Sequence, residues 1–297
     1  MSVFGKAAQR QGRAFLAPTV ILLLCFTIFP LLFTLALAFG EARFERGGFH
    51  IEFGTLRNWT RLFNDTRFWN AFSVTLRIVL PAVALQYLLG LGLALLLDRK
   101  VRGGGFFRVL FLVPMMLTPI AVGYMGRMVF DVGRGPITGI LQRLGLPAVG
   151  WLTETHLSVY SIILTDVWQW TPFMFMILYA ALRAIPRDYV EAARVDGASG
   201  WRLFWNVTLP MLAPASIAAI LLRTVEGFKI VDIIYIMTGG GPGRSTESLT
   251  MYGYNMGFRA FDLSYGATIS LSLFLAVLVA STVFMSLTRR LRHVGLE

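Results

Sequence analysis

The sequence is short of charge and nearly without thiol or imidazole. Charged residues fill 14% of its 297 positions, against roughly 25% in a soluble domain, too few to cover the surface of a water-soluble fold of this size. Cys25 is the only cysteine, which excludes a disulfide framework and a cysteine-based metal site. His50, His156 and His293 are scattered and read as loop or tail residues, not metal ligands. Catalytic signatures are also missing. There is no G-x-S-x-G elbow, no H-E-x-x-H and no acidic cluster, and Gly197-Ala198-Ser199-Gly200 lacks the spacing of a nucleophile turn. An enzyme is not expected.

What the chain has is apolar surface: hydrophobic residues make up 56% of it. Runs approaching or exceeding the roughly 20 residues that cross a hydrocarbon core as a helix fall at 14–39, 70–97, 109–130, 157–182 and 263–288. A further run, 211–237, qualifies if it tolerates Arg223, Glu226, Lys229 and Asp232. The runs are continuous and do not alternate, so they read as helices and not as barrel strands. No segment between them could bury a core of its own. The expectation is one all-α membrane domain, 1–297, with six transmembrane helices. Basic residues, the first run and Ala36-Leu37-Ala38 imitate a cleavable signal. That run exceeds the roughly 7–15 residues of a signal h-region, so a retained anchor is expected.

A net charge of +11 has to be weighed against the cytoplasmic bias of Lys and Arg in membrane proteins. Lys6, Arg10 and Arg13, then Arg99, Lys100, Arg102 and Arg108, then Arg289, Arg290 and Arg292 carry the excess. The alternate segments 40–69, 131–156 and 238–262 largely pair each Arg with an acid, as in Glu41, Arg43, Glu45 and Arg46. Both termini are therefore expected in the cytoplasm, together with 186–210. No basic stripe interleaves with aromatics, which argues against nucleic acid.

Several motifs invite chemistry. Thr238–Thr246, TGGGPGRST, imitates a phosphate loop, but its second glycine falls one place early and Arg244 stands where the lysine should be; it reads as a turn. Arg223, Glu226, Lys229 and Asp232 recur every third residue and predict a stripe on one helix face. Each would cost at least about 2.5 kcal/mol in lipid, so the stripe should face protein or a wet path. Tyr235, one turn on, joins this candidate path. Among Tyr160, Trp168, Trp170 and Phe173, which could anchor, pack or stack on a sugar face, Trp168 is the candidate path residue. Gly90 and Ala94 form a small-xxx-small pair for close helix approach, and Pro81, Pro114, Pro119 and Pro172 predict kinks or helix starts.

The stretch EAARVDGASGWRLFWNVTLP, Glu191–Pro210, breaks this apolar pattern. Pro186 can open a helix through Asp188 and Glu191, and Gly197 can end it in the left-handed conformation. Ser199 can cap a second helix through Trp201, Phe204 and Trp205 before Pro210 closes the segment. Ala192 and Ala193 leave the first helix thin-sided, suited to a groove on a partner.

Glu191-Ala192-Ala193, Gly197, Val207, Leu209 and Pro210 stand in the register E-A-A-x-x-x-G, nine residues, [IV]-x-L-P. This resembles the signature of permease subunits of bacterial binding-protein-dependent ABC importers. With Asp196, Ala198, Trp201 and Phe204 it is similar to the carbohydrate-uptake branch related to maltose permeases. Similar patterns continue through Gly90–Ala94, Phe106-Phe107-Arg108, Gly135-Pro136-Ile137, Phe228-Lys229, Gly240-Gly241-Pro242 with Thr246, and Tyr265-Gly266-Ala267. The resemblance implies a type I ABC importer permease fold in the bacterial inner membrane. Its implied partners are a second homologous permease, two ATP-binding subunits and an extracytoplasmic solute-binding protein, within membrane lipid. ATP and Mg would sit on the partners, and this chain would bind no cofactor. Glu191, Ala192, Ala193, Asp196, Gly197, Ala198, Leu209 and Pro210 would couple to the ATPase. Gly240, Gly241, Pro242 and Thr246 would form a loop toward the binding protein. Segment 40–69 is too short for the large outer insertion of the enterobacterial maltose subunit. The layout looks more like subunits for trehalose-like disaccharides, other oligosaccharides or glycerol phosphate. An ion-coupled transporter acting alone, titrating Glu226 and Asp232, is the alternative.

Overall fold

The computed structural model describes residues 3–45, 48–98 and 102–294. Arg46, Arg99 and Lys100 of the charge pattern lie outside the described residues, as do the side chains of Lys6, Arg10, Arg13, Arg43, Glu45, Arg289, Arg290 and Arg292. Along the chain run α1 (Val3–Ala38), β1 (Gly40–Glu45), β2 (Gly48–Phe53), α2 (Arg57–Asn64), α3 (Thr66–Asp98), α4 (Gly104–Met116), α5 (Pro119–Val129) and α6 (Pro136–Arg143). They are followed by α7 (Thr155–Arg183), α8 (Arg187–Val195), α9 (Gly200–Leu203), α10 (Leu209–Gly227), α11 (Asp232–Met237), α12 (Leu249–Tyr254) and α13 (Leu263–Val294). π-Helical turns occupy Phe204–Thr208 and Asn255–Arg259. Among the described residues, five helical stretches are long and apolar enough to cross a membrane, and α4 with α5, bent by 95°, would make a sixth.

Two compact units divide the chain. One holds the residues up to Asp65 with Gly253–Ser272. Here β1 and β2 form an antiparallel hairpin in register from Gly40 with Phe53 to Glu45 with Gly48, a departure from an all-α chain. Helix α2 is held to it by Asn58, whose buried amide donates to the Gly40 carbonyl at 2.9 Å. The Ala42 N–H donates to Ser264 Oγ at 2.8 Å, and the Tyr265 hydroxyl donates to Asp65.

The other unit, Thr66–Tyr252 with the residues from Leu273 on, holds the main apolar core. Helices α3 and α7 form its most extensive pair. They approach at Gly90, where a Cβ would stand 2.6 Å from Met174 Cβ and 2.8 Å from the Phe175 nitrogen. Ala94, one turn on, is fully buried, so the predicted small-residue pair is a packing seam.

Two expected spans are broken. The run 109–130 bends at Leu117-Thr118 because the residue before Pro119 is driven out of the α region. Thr118 takes an extended ψ of 144° and caps α5, and Gln169 of α7 donates to the stranded Leu117 carbonyl at 3.1 Å. The run 211–237 is also not one helix. α10 stops at Gly227 and α11 begins at Asp232, so the four charges do not share a helix face. Pro210 does not close the segment Glu191–Pro210 either. The helix runs unbroken from Gly200 to Gly227, and the π turn at Phe204–Thr208 just before Pro210 widens the backbone where the proline lacks an N–H to donate.

A Gly90→Val substitution should force α3 from α7 and cost about 1–3 kcal/mol as an overpacked core does. The measurement is thermal unfolding of the purified chain in detergent, and an unchanged midpoint would contradict the seam.

Candidate functional site

Two regions of the larger unit gather the polar side chains. The first is the elbow. α8 opens after Pro186 and ends in a Schellman turn: Gly197 stands at φ +79°, its N–H donates to the Arg194 carbonyl at 3.0 Å, and the Ala198 N–H donates to the Ala193 carbonyl at 2.9 Å. Ser199 then caps α9, its Oγ accepting from the Arg202 N–H at 3.5 Å. No residue of α8 or α9 is buried. Glu191, Ala192 and Asp196 are exposed, and Ala193, Ala198 and Leu209 partly so. Val195 at 87% and Trp201 at 72% exposure leave large apolar surface uncovered beside them.

The second region is a pocket of about 250 Å³ between α5, α7, α10 and α11. Its floor is a buried ion pair. Arg223 Nη2 of α10 lies 2.5 Å from Asp166 Oδ2 of α7, with both side chains at most 4% exposed. Gln86 of α3 donates to the same carboxylate oxygen at 2.8 Å and to the Asp166 carbonyl at 3.1 Å. Trp170, one turn beyond Asp166, sets its ring 5.1 Å from the guanidinium carbon of Arg223. Arg223 Nε and Gln86 Oε1 are buried with no hydrogen-bond partner among the described residues. At the mouth, Glu226 and Lys229 pair at 2.7 Å, both more than half exposed, and Asp232 has no partner among the described residues. Two cations thus face three carboxylates around one polar cavity.

The break that opens this pocket is stitched by the following loop. Ser248 Oγ donates to the Ile230 carbonyl at 2.7 Å and Thr250 Oγ1 to that of Phe228 at 3.1 Å. The Leu249 N–H donates to Thr75 Oγ1 of α3 at 2.9 Å. Thr246 is fully buried and donates to the Gly241 carbonyl at 2.8 Å. Gly240 sits at φ +91° with Met251 close behind it, 3.3 Å from where a Cβ would stand. Glu247, also buried, takes a two-pronged pair from Arg67 at 2.9 and 2.7 Å. The candidate loop is a fastened turn, with Gly241 and Pro242 at its partly exposed tip.

Of the expected path residues, Glu226, Lys229 and Asp232 meet at the pocket, and Tyr235 is exposed one turn past Asp232 without lining it. Trp168 does not belong to it. Two residues from both Asp166 and Trp170, it points to another side of α7, into apolar grooves with Leu164 and Val167. Trp170, Asp166 and Gln86 are the additions. A lone carboxylate in the run 157–182 is the sequence signal for the floor.

The chain belongs to the family described as binding-protein-dependent transport system inner membrane component, which matches residues 86–293. It is therefore an inner-membrane transport subunit. The trehalose/maltose transport system permease protein of Thermococcus litoralis is 36% identical over 234 residues, 79% of each chain. The trehalose transport system permease protein of Mycobacterium tuberculosis is 33% identical over 281 residues, 95% of this chain and 89% of that one. In fold, the chain is similar to a subunit in the crystal structure of a bacterial ABC transporter that imports the acidic polysaccharide alginate. The TM-score is 0.82 at 20% identity, with 97% of this chain and 98% of that one covered.

Removing one member of the floor pair strands a buried charge, so Asp166→Ala should lower stability by about 3–5 kcal/mol. The double variant Asp166→Leu with Arg223→Met should recover most of it. Thermal unfolding of the three proteins checks this, and a double variant as unstable as the single one would contradict it.

Proposed function

We propose that the chain is the permease half of an ATP-driven importer for a sugar or short oligosaccharide of trehalose-like size. It would work with a second homologous permease, two ATP-binding subunits and an extracytoplasmic solute-binding protein. The carrying observation is the elbow: a nine-residue helix with no buried residue, ended by a Schellman turn and followed by exposed Trp201. Uncovered apolar surface of this kind beside charged groups fits a groove on a partner protein. Glu191, Ala192, Ala193 and Asp196 would seat in the ATPase, Gly197 and Ala198 would set the angle, and Leu209-Pro210 would lie within the helix from Gly200 that carries the motion inward. ATP and Mg would be held by the ATPases, and this chain would bind no cofactor and catalyse nothing. Both termini and the elbow would be cytoplasmic. The loop Gly240-Gly241-Pro242 with Thr246 would then face outward toward the binding protein.

The substrate class is supported by the pocket and by the relatives. A cavity of about 250 Å³ falls below the roughly 300–1,000 Å³ of a complete small-molecule site, as expected of half a path closed by a second subunit. Its two cations are outnumbered by three carboxylates, which favours a neutral polyhydroxy solute over a phosphorylated one. Glu226, Lys229, Asp232 and the edge of Trp170 would line the way, with Tyr235 beyond them.

Gly197→Pro removes the N–H of the Schellman turn and forbids its positive φ, and Glu191→Lys reverses the charge on the docking face. Both should leave the subunit in the membrane yet reduce ATP-dependent uptake at least about tenfold, the equivalent of ~1.4 kcal/mol of coupling. Uptake of radiolabelled trehalose into cells or vesicles bearing the assembled importer decides it, and normal uptake in both would sink the assignment. Asp232→Leu should lower uptake of the same sugar with the assembled complex intact on size exclusion. Full transport by that variant would remove the pocket from the path.

A further inference from the structure

Arg77 is the one charged residue of α3 between Arg67 and Asp98. It is exposed and has no hydrogen-bond or ion-pair partner among the described residues. About 31 Å of helix separates it from Asp98 at 1.5 Å per residue, the thickness of a hydrocarbon core of roughly 30 Å. The two charges are thus spaced as two headgroup planes are, and the cation of that pair stands alone among the described residues.

Below Arg77 on the same stripe of α3 come Leu80, Ala84 and Leu88, all exposed. They line a groove of about 530 Å³, whose other walls include Ile220 of α10 and Phe284 of α13. Thr224, also in the wall, spends its hydroxyl on the Ile220 carbonyl at 2.7 Å, so the lining presents little free polarity. Toward the other end, Tyr87 donates its hydroxyl to Ser216 at 3.1 Å. The groove runs along α3 from Leu76 to Leu88, about 18 Å of helix, against roughly 15 Å for one leaflet's share of the hydrocarbon. Side chains on a helix lean toward its N-terminus, so the guanidinium extends away from the hydrocarbon, toward the headgroups.

We propose that this is a site for one phospholipid, its phosphate on Arg77 and one acyl chain along the α3–α10–α13 groove. Charge complementarity, the match of groove length to leaflet depth and the apolar lining select this occupant. The orientation proposed for the importer sets which leaflet supplies the lipid. Lipid retention does not read orientation, so its failure leaves the importer reading standing.

The full-length chain in phosphatidylglycerol nanodiscs, doped with phosphatidylglycerol spin-labelled near the end of one acyl chain, should show a motionally restricted lipid component. Arg77→Gln should weaken its retention about fivefold, the loss of one basic contact at a lipid surface, and Arg77→Lys should keep most of it. Ala84→Trp, which fills the groove, should remove the component. Equal retention in Arg77→Gln and the wild type overturns the proposal even should Ala84→Trp fail to fold, because an exposed Gln leaves the packing alone. Loss of association with a second permease in Arg77→Gln, with lipid retention intact, also overturns it and gives this face to a protein.

Discussion

A carboxylate and a guanidinium buried in a chain otherwise made of hydrocarbon constrain everything around them. Asp166 and Arg223 could not stand in lipid singly, since each would cost at least about 2.5 kcal/mol, and together they still leave lone pairs and protons to satisfy. Gln86 takes up part of that need. The cluster draws one side chain from each of α3, α7 and α10, so those helices hold a common register and cannot slide past one another without stranding a charge. The close approach at Gly90 serves the same end, bringing α3 and α7 near enough for Gln86 to reach across.

The pocket exists because α10 does not continue. In a bilayer a broken helix must have its freed backbone groups satisfied by protein, and the end of the loop after α11 and the first turn of α12 do this with hydroxyls. Ser248 and Thr250 cover the carbonyls of Ile230 and Phe228, while Leu249 pairs with Thr75. That explains the sequence from Gly240 to Thr250 without appeal to a ligand: the glycines fold the turn tightly, and buried Thr246 and Glu247 lock it. The same break lets Glu226, Lys229 and Asp232 converge. On a straight helix their three-residue spacing would spread them over about 9 Å of axis.

Legibility in the sequence tracks the range of the forces involved. The elbow was legible because its signals are local: Pro186 opens it, Gly197 takes the one conformation that ends it, and Ser199 caps the next helix. Spans were legible because hydropathy sums over many residues. The charged stripe was misread because periodicity assumes a helix that continues, whereas α10 stops at Gly227, a position packed so closely against α3 that a Cβ there would stand 2.9 Å from Val79. Trp168 and Trp170 differ by two residues and hence by opposite sides of α7, which no count of aromatics separates. Asp166, Gln86 and Arg77 are single polar residues in long apolar runs, so averaging over a window hides them. The β1–β2 hairpin escaped for a related reason, as six-residue strands at the edge of a membrane span leave little pattern.

The elbow and the pocket are joined by one rod. From Gly200 to Arg223 the helix is uninterrupted, roughly 35 Å at 1.5 Å per residue, with a π turn at Phe204–Thr208 and prolines at Pro210 and Pro214. On the proposed coupling, a displacement of α8 by a partner passes along this rod, in which no non-helical residue intervenes before Gly227. The first break in the helix it meets follows Gly227, and Arg223 lies one turn before that point. Movement at the elbow must therefore appear either as a shift of Arg223 against Asp166 or as a change in the pocket mouth at Glu226, Lys229 and Asp232. The buried pair resists the first, because separating it strands two charges, whereas the exposed pair at the mouth gives way at small cost, as exposed ion pairs are worth about 1 kcal/mol or less. The asymmetry between a fixed floor and a yielding rim is what would allow a push in the cytoplasm to open and close a polar path without disassembling the helices around it.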